Sequence, residues 1–105
     1  MVYNHPELEI IRSNVFDAWL SDLKDREARA QIQKRIARMQ LGNFGDAKRV
    51  TKDVSELRID FGPGYRVYYT QRGSVLVLLL CGGSKKSQAK DIVRATQIVR
   101  AWDGR

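Results

Sequence analysis

Cysteine and histidine are nearly absent from this chain, which has one of each among its 105 residues. A lone cysteine, Cys81, cannot form a disulfide within the chain, and its apolar neighbours predict a buried side chain rather than a nucleophile. The inventory argues against a zinc enzyme, a Ser-His-Asp hydrolase and a Cys-His protease. The single histidine, His5, precedes Pro6 and is expected at the surface.

Long hydrophobic runs are also missing. The longest apolar stretch, residues 75–81, has the length of a buried strand and is far too short to span a bilayer. The N-terminus does not read as a basic and then apolar leader, so we expect a cytoplasmic protein without a membrane partner. With 43% hydrophobic and 30% charged residues, the composition is that of a folded domain, and the length predicts one domain over residues 1–105.

Acidic residues are scarce beside basic ones. The chain has 19 Lys and Arg against 12 Asp and Glu, a net charge of +7. Residues 24–52 hold nine basic and three acidic side chains, and residues 84–105 hold six and two, whereas residues 1–23 are net acidic. This balance favours a polyanion or an acidic protein as partner, although each basic segment can equally be a solvated helix surface.

The N-terminal half predicts a strand and two helices. Residues 8–11 are short and β-branched, as in a strand. Asn14 is the expected N-cap of a helix that ends near Lys24. A second helix begins near Arg26, ends at Gly42 and is expected to bury four residues at helical spacing, which are Ala28, Ile32, Ile36 and Met39. So short a connection predicts a helical hairpin.

The C-terminal half alternates like a sheet. From Ala47 the period becomes two, and Glu56, Arg58 and Asp60 are expected on a solvated face of a strand over residues 54–61. Turns at residues 62–64 and 72–74 delimit two further strands. A last helix begins near Ser87 and places four residues on its apolar face, which are Ile92, Ala95, Val99 and Trp102. Trp19 is a second expected core tryptophan.

These elements predict an α+β fold. An N-terminal strand and a helical hairpin precede a four-stranded, mostly antiparallel sheet, and a C-terminal helix follows it. The strand over residues 75–81 is apolar on both faces, so it is expected inside the sheet with helices on at least one side.

Basic side chains on neighbouring strands form the candidate site. Arg58 and Arg66 share one face if the turn at residues 62–64 sets the expected register. The strand before them supplies three more cations, which are Lys48, Arg49 and Lys52. Such a surface can bind a phosphodiester and stabilise the charge that grows when it is attacked. The plainer alternative is that Arg58 pairs with Glu56 or Asp60.

Two further features are candidates for binding a phosphate or a base. Tyr68 is predicted on the face of Arg66, where it stacks on a base or binds a phosphate, or is simply a half-buried sheet residue. Residues 82–86, Gly-Gly-Ser-Lys-Lys, leave a strand and enter a helix, a place where backbone amides bind anions. The spacing is not that of a Walker A loop, and a plain turn is the alternative.

Three segments in order resemble the RelE/ParE superfamily of toxins from bacterial type II toxin–antitoxin modules. They are residues 54–60 (VSELRID), 62–69 (GPGYRVYY) and 77–85 (VLLLCGGSK). The similarity is greatest to the addiction module killer proteins of the HigB-like branch. The resemblance implies a RelE-like fold and a metal-independent endoribonuclease, an mRNA interferase that inhibits translation by cutting mRNA on the ribosome. It implies no cofactor.

The resemblance also implies partners and site residues. The partners are mRNA, the ribosome and a cognate antitoxin, a helix-turn-helix protein encoded beside the toxin. Arg58, Arg66, Lys85 and Lys48 are the implied catalytic residues, and Arg49, Lys52, Tyr68 and Lys86 are the implied RNA contacts. Asp60 replaces a lysine of some relatives, and residues 84–92 lack the expected Tyr or His. The alternative is therefore a non-enzymatic ParE-like inhibitor of DNA gyrase.

Overall fold

The computed structural model describes residues 7–103, so the expectations for His5 and for the N-terminal leader lie outside the described residues. Eight helices and strands follow one another with a single 3-10 turn before the last helix. They are β1 (Glu9–Arg12), α1 (Asn14–Asp22), α2 (Arg26–Gln40), β2 (Ala47–Arg49), β3 (Ser55–Ile59), β4 (Tyr65–Arg72), β5 (Leu76–Ser84), the 3-10 turn (Lys85–Ser87) and α3 (Gln88–Trp102). No helix within residues 7–103 has the length and apolarity to cross a membrane.

Side-chain caps start the first two helices. Ser13, rather than the predicted Asn14, is the N-cap of α1, because its Oγ accepts from the backbone N–H of Phe16 at 3.0 Å and donates to the Leu80 carbonyl at 2.6 Å. Asp25 caps α2 through the N–H groups of Glu27 and Ala28. Gly42 follows the end of α2 with a φ of 92°, which confirms its predicted role.

The sheet has five strands in the order β1-β5-β4-β3-β2. The predicted meander is present as β2 to β5, in which neighbouring strands are antiparallel. The N-terminal strand β1 joins the same sheet and runs parallel to β5, with Glu9 opposite Leu76. The predicted α+β fold is confirmed, but the sheet is mixed and has one strand more than expected.

Helices cover both faces of this sheet. On one face, α1 and α2 contribute Phe16, Leu20 and Ile32 to a core that also contains residues of β3, β4 and β5. On the other face, Ala95 and Val99 of α3 pack over a second core. Trp19 packs partly buried against the first core, but Trp102 is 46% exposed because it lies in the last turn of α3. The prediction that Trp102 is a core residue is wrong.

A β-bulge in β5 decides which way its last residues face. Tyr68 is opposite Cys81 while Tyr69 is opposite Leu79, so Leu80 is an extra residue, and both Leu80 and Cys81 face α3. After the bulge, a Cβ on Gly82 would meet the ring of Trp19, and one on Gly83 would meet Asp91. The two glycines therefore allow helices to approach the strand closely. Strand β5 continues to Ser84, so residues 82–84 belong to the strand and not to a turn, whether anion-binding or plain.

Cys81 is 2% exposed, as predicted. Burial, and then the nearby charge of Asp91, raises the pKa of its thiol to about 12 from 9.0. In the folded protein at pH 8, alkylation by iodoacetamide is therefore expected to be slower than in denaturant by on the order of a thousandfold, because the thiolate reacts. Mass spectrometry of timed reactions measures this. Equal rates in folded and denatured protein would contradict the burial.

Candidate active site

A cleft of about 370 Å³ opens beside the turn between β3 and β4. Three of the predicted catalytic side chains, Arg58, Arg66 and Lys85, line it together with two carboxylates, Asp46 and Asp60. The backbone holds the basic residues in place, since Arg58 and Arg66 are in paired strands and the N–H of Lys85 donates to the Gly64 carbonyl at 3.2 Å. The fold thus brings residues from three parts of the chain to one cleft.

Arg58 and Arg66 are directly opposite each other in the β3–β4 register. Side chains that face each other across antiparallel strands lie close together, and two like charges in such a pair destabilise the sheet. Each arginine has a carboxylate partner that reduces this repulsion. An anion bound between the two guanidinium groups would reduce it further, which favours phosphate binding here.

Asp46 is the partner of Arg58. Its Oδ1 lies 3.1 Å from Nε and 2.9 Å from Nη2 of the arginine. The alternative in which Arg58 pairs with Glu56 or Asp60 is therefore not observed. Arg35 of α2 fixes the segment that carries Asp46, because it donates to the carbonyls of Phe44 at 3.1 Å and of Arg58 at 2.6 Å. The sequence did not indicate these roles of Asp46 and Arg35.

Glu56 is the partner of Arg66, and it is 1% exposed. Its Oε2 lies 3.3 Å from Arg66 Nε and accepts from Gln88 Nε2 at 3.0 Å, and its Oε1 lies 4.0 Å from Lys48 Nζ. The prediction that Glu56 lies on a solvated face is therefore wrong, because Gln88 of α3 covers it. The alternation predicted for β3 is present, but the alternation alone does not show that α3 packs over the face that carries Glu56.

Arg66 also departs from the expected solvated position, because its side chain is only 14% exposed. Its Nε is buried beside Glu56 without hydrogen-bond geometry to any described group, yet the residue lines the cleft. Arg66 connects a buried carboxylate with the space in which a ligand would bind.

Tyr68 is fully buried, which corrects the prediction that its ring stacks on a base. Its side chain is opposite Glu56 on β3 and lies in the core beneath α3. Burial, and then the charge of Glu56, raises the pKa of its hydroxyl well above the usual value. Since no face of the ring is open to solvent, Tyr68 offers nothing for a base to stack on.

The remaining predicted cations do not share the cleft. Lys48 is opposite Glu56 and is 55% exposed, but it is not among the residues that line the cleft. Arg49 and Lys52 line a separate cleft of about 110 Å³ with Arg72. Lys86 is exposed on the 3-10 turn next to Lys85. The predicted single cationic surface is therefore divided in two.

The cleft has the groups that charge stabilisation and proton transfer require. Two arginines and a lysine can neutralise a phosphate. Asp60 at its edge is exposed and can accept a proton. Residues 7–103 contain no cluster of three or more His, Cys, Asp or Glu side chains arranged to hold a metal ion.

Known proteins resemble this chain in sequence and in fold. A family model described as phage derived protein Gp49-like (DUF891) matches residues 18–100. An uncharacterized protein of Haemophilus influenzae is 53% identical over 88 residues, which cover 84% of this chain and 89% of that protein. The structure of a mutant of the E. coli toxin RelE in the free state matches with a TM-score of 0.69 and 16% identity, covering 87% of this chain and 96% of that one. This likeness shows a RelE-like fold.

Proposed function

The chain belongs to the Gp49-like family of phage-derived proteins, and from that membership and its RelE-like fold we propose that it is the toxin of a toxin–antitoxin system. In this proposal it is an mRNA interferase of the HigB-like branch, which inhibits translation by cutting mRNA on the ribosome in the cytoplasm. Its partner is a cognate antitoxin encoded beside it. The net charge of +7 supports an acidic segment of that antitoxin as the neutralising partner.

The opposed arginines of the cleft carry the enzymatic part of the proposal. The RNA 2′-hydroxyl attacks the adjacent phosphorus, the new O2′–P bond forms, and the P–O5′ bond breaks with its electron pair on the 5′-oxygen. Arg58 and Arg66 stabilise the negative charge that grows on the phosphate. The exposed carboxylate of Asp60 accepts the proton of the 2′-hydroxyl, and Lys85 stabilises the leaving 5′-oxygen. This route uses no metal ion.

The test is cleavage of mRNA in a translating extract that receives the purified protein. Primer extension should show new 5′ ends, and the upstream fragments should end in a 2′,3′-cyclic phosphate or a 3′-phosphate. A chelator that is added after the ribosomes are programmed should not prevent a single round of cleavage. A message with a 2′-deoxynucleotide at the cut position should stay intact, because the nucleophile is missing.

A parallel assay of DNA supercoiling distinguishes the alternative. Intact transcripts together with trapped gyrase–DNA complexes would replace the nuclease proposal by gyrase inhibition. In cells, expression of this chain alone should arrest bacterial growth, and expression of the neighbouring helix-turn-helix protein should restore it. Normal growth with verified soluble protein would refute the toxin proposal altogether.

A further inference from the structure

We infer that Glu56 is a positioning residue, which holds Arg66 by its Nε edge so that the opposite edge of the guanidinium faces the cleft. The inference rests on the proposed function for its activity assay, but the contact between Glu56 and Arg66 can be tested without that activity. The buried carboxylate of Glu56 takes no part in the proposed cleavage steps, and positioning Arg66 would give it a function.

The Glu56 carboxylate is buried without full compensation from its partners. It is 1% exposed, and removing a carboxylate from water is strongly unfavourable unless its partners compensate. Compensation here is incomplete, because neither Glu56 Oε1 nor Arg66 Nε has a hydrogen-bond partner among the described residues. Since a buried ion pair is often replaceable by apolar residues without loss of stability, stability alone does not account for Glu56.

Arg66 lies between an attractive charge and a repulsive charge on β3. Glu56 lies two residues before Arg58 on β3, so it is on the face that carries both arginines, and its partner on β4 is Tyr68. Arg58 repels Arg66 from across the strands, and a long arginine side chain has many rotamers in which to avoid it. The attraction of Glu56 compensates for that repulsion and favours the rotamers that keep Arg66 Nε beside the carboxylate.

Glu56 is itself held in place by helix α3. Gln88, in the first turn of α3, donates to Oε2, the same oxygen that faces Arg66 Nε. The carboxylate is therefore oriented by the helix on one side and by the strand on the other. Such an arrangement restricts Arg66 to one position before a substrate arrives, which is the condition for an efficient stabilising contact.

The test is Glu56→Gln, which keeps the shape of the side chain and removes its charge. The single-turnover rate of mRNA cleavage should fall by on the order of tenfold to a hundredfold, since a displaced charge-stabilising group acts less well. Glu27→Gln, at an exposed site in the first turn of α2, is the matched control and should cleave like the wild type.

Two comparisons separate positioning from direct proton transfer. The pH profile of Glu56→Gln should be lower than that of the wild type but parallel to it, whereas loss of its acidic limb would identify Glu56 as a base. In a chain that already carries Arg66→Gln, adding Glu56→Gln should cause no further loss. Full additivity of the two losses would overturn the inference, because Glu56 would then act independently of Arg66.

The contact itself is measured by NMR of the arginine Nε–H groups. Arg66 should give an Nε–H signal that is protected from exchange by burial beside the Glu56 carboxylate, and this protection should be reduced in Glu56→Gln, while the signal of Arg58, which Asp46 holds, should persist. An unchanged Arg66 signal would refute the inference. If Glu56→Gln does not fold, Glu56→Asp, which keeps the charge but retracts it, should fold with a weakened Arg66 signal. If the wild type cleaves no RNA, the proposed function fails while the NMR result still decides this point.

Discussion

Replacing Arg66 with glutamine is expected to lower mRNA cleavage by on the order of a hundredfold to a thousandfold, the loss typical of removing one contact to a developing negative charge. Glutamine keeps a nitrogen at the place of Nε, beside Glu56, but it removes the positive charge and the rest of the guanidinium group. The measurement is single-turnover cleavage in programmed extracts, with the melting temperature followed in parallel. Relief of growth arrest should accompany the lost cleavage.

Arg66→Ala provides the contrast. It should lose the same activity and more stability than Arg66→Gln, by about 3 to 5 kcal/mol relative to the wild type, because Glu56 would remain buried with neither a charge nor a side-chain N–H group of residue 66 beside it. Cleavage by Arg66→Gln at the wild-type rate would contradict the proposed site. Equal melting temperatures for the alanine variant and the wild type would show that Glu56 does not depend on Arg66.

The second large effect is expected in the core. Phe16→Ala should lower the free energy of unfolding by about 3 to 5 kcal/mol, since the ring is fully buried between α1 and the sheet and its removal leaves a cavity. The ring also packs against that of Trp19, with 5.9 Å between the two ring centroids. Urea denaturation followed by tryptophan fluorescence or circular dichroism measures the change.

Trp102→Ala is the control for the same experiment. It removes a larger ring, but one that is 46% exposed, so the change should stay within about 0.5 kcal/mol, as at most surface sites. A loss as large as that of Phe16→Ala would mean that Trp102 packs into the core, as its spacing in the sequence suggested. Near-neutral values for both variants would contradict the packing of α1.

The fold was predictable where a pattern is local. Residues 26–40 repeat apolar side chains at helical spacing, and the four residues predicted to be buried in α2 are buried. The pairing of β1 with β5 was not predictable in this way, because 67 residues separate Glu9 from its partner Leu76. Nor does alternation reveal the bulge at Leu80, which reverses the direction of each later side chain in β5.

The site was predictable only in its basic residues. The turn at residues 62–64 correctly implied that Arg58 and Arg66 share one face, and the register makes them direct partners. Their carboxylate partners were missed, because Asp46 lies in a loop with no periodic pattern and Glu56 becomes buried only when α3 packs over it. Tyr68 was misplaced for the same reason, since the strand pattern does not say how far a helix extends over the sheet.

The pairing of the first strand with the fifth has a consequence for synthesis of the chain. A protein emerges from the ribosome N-terminus first, so Glu9–Arg12 has no strand beside it until residues 76–79 have been made. Lys85 and Gln88 follow only after those residues. The nascent chain thus remains without its complete cleft until most of it has been translated.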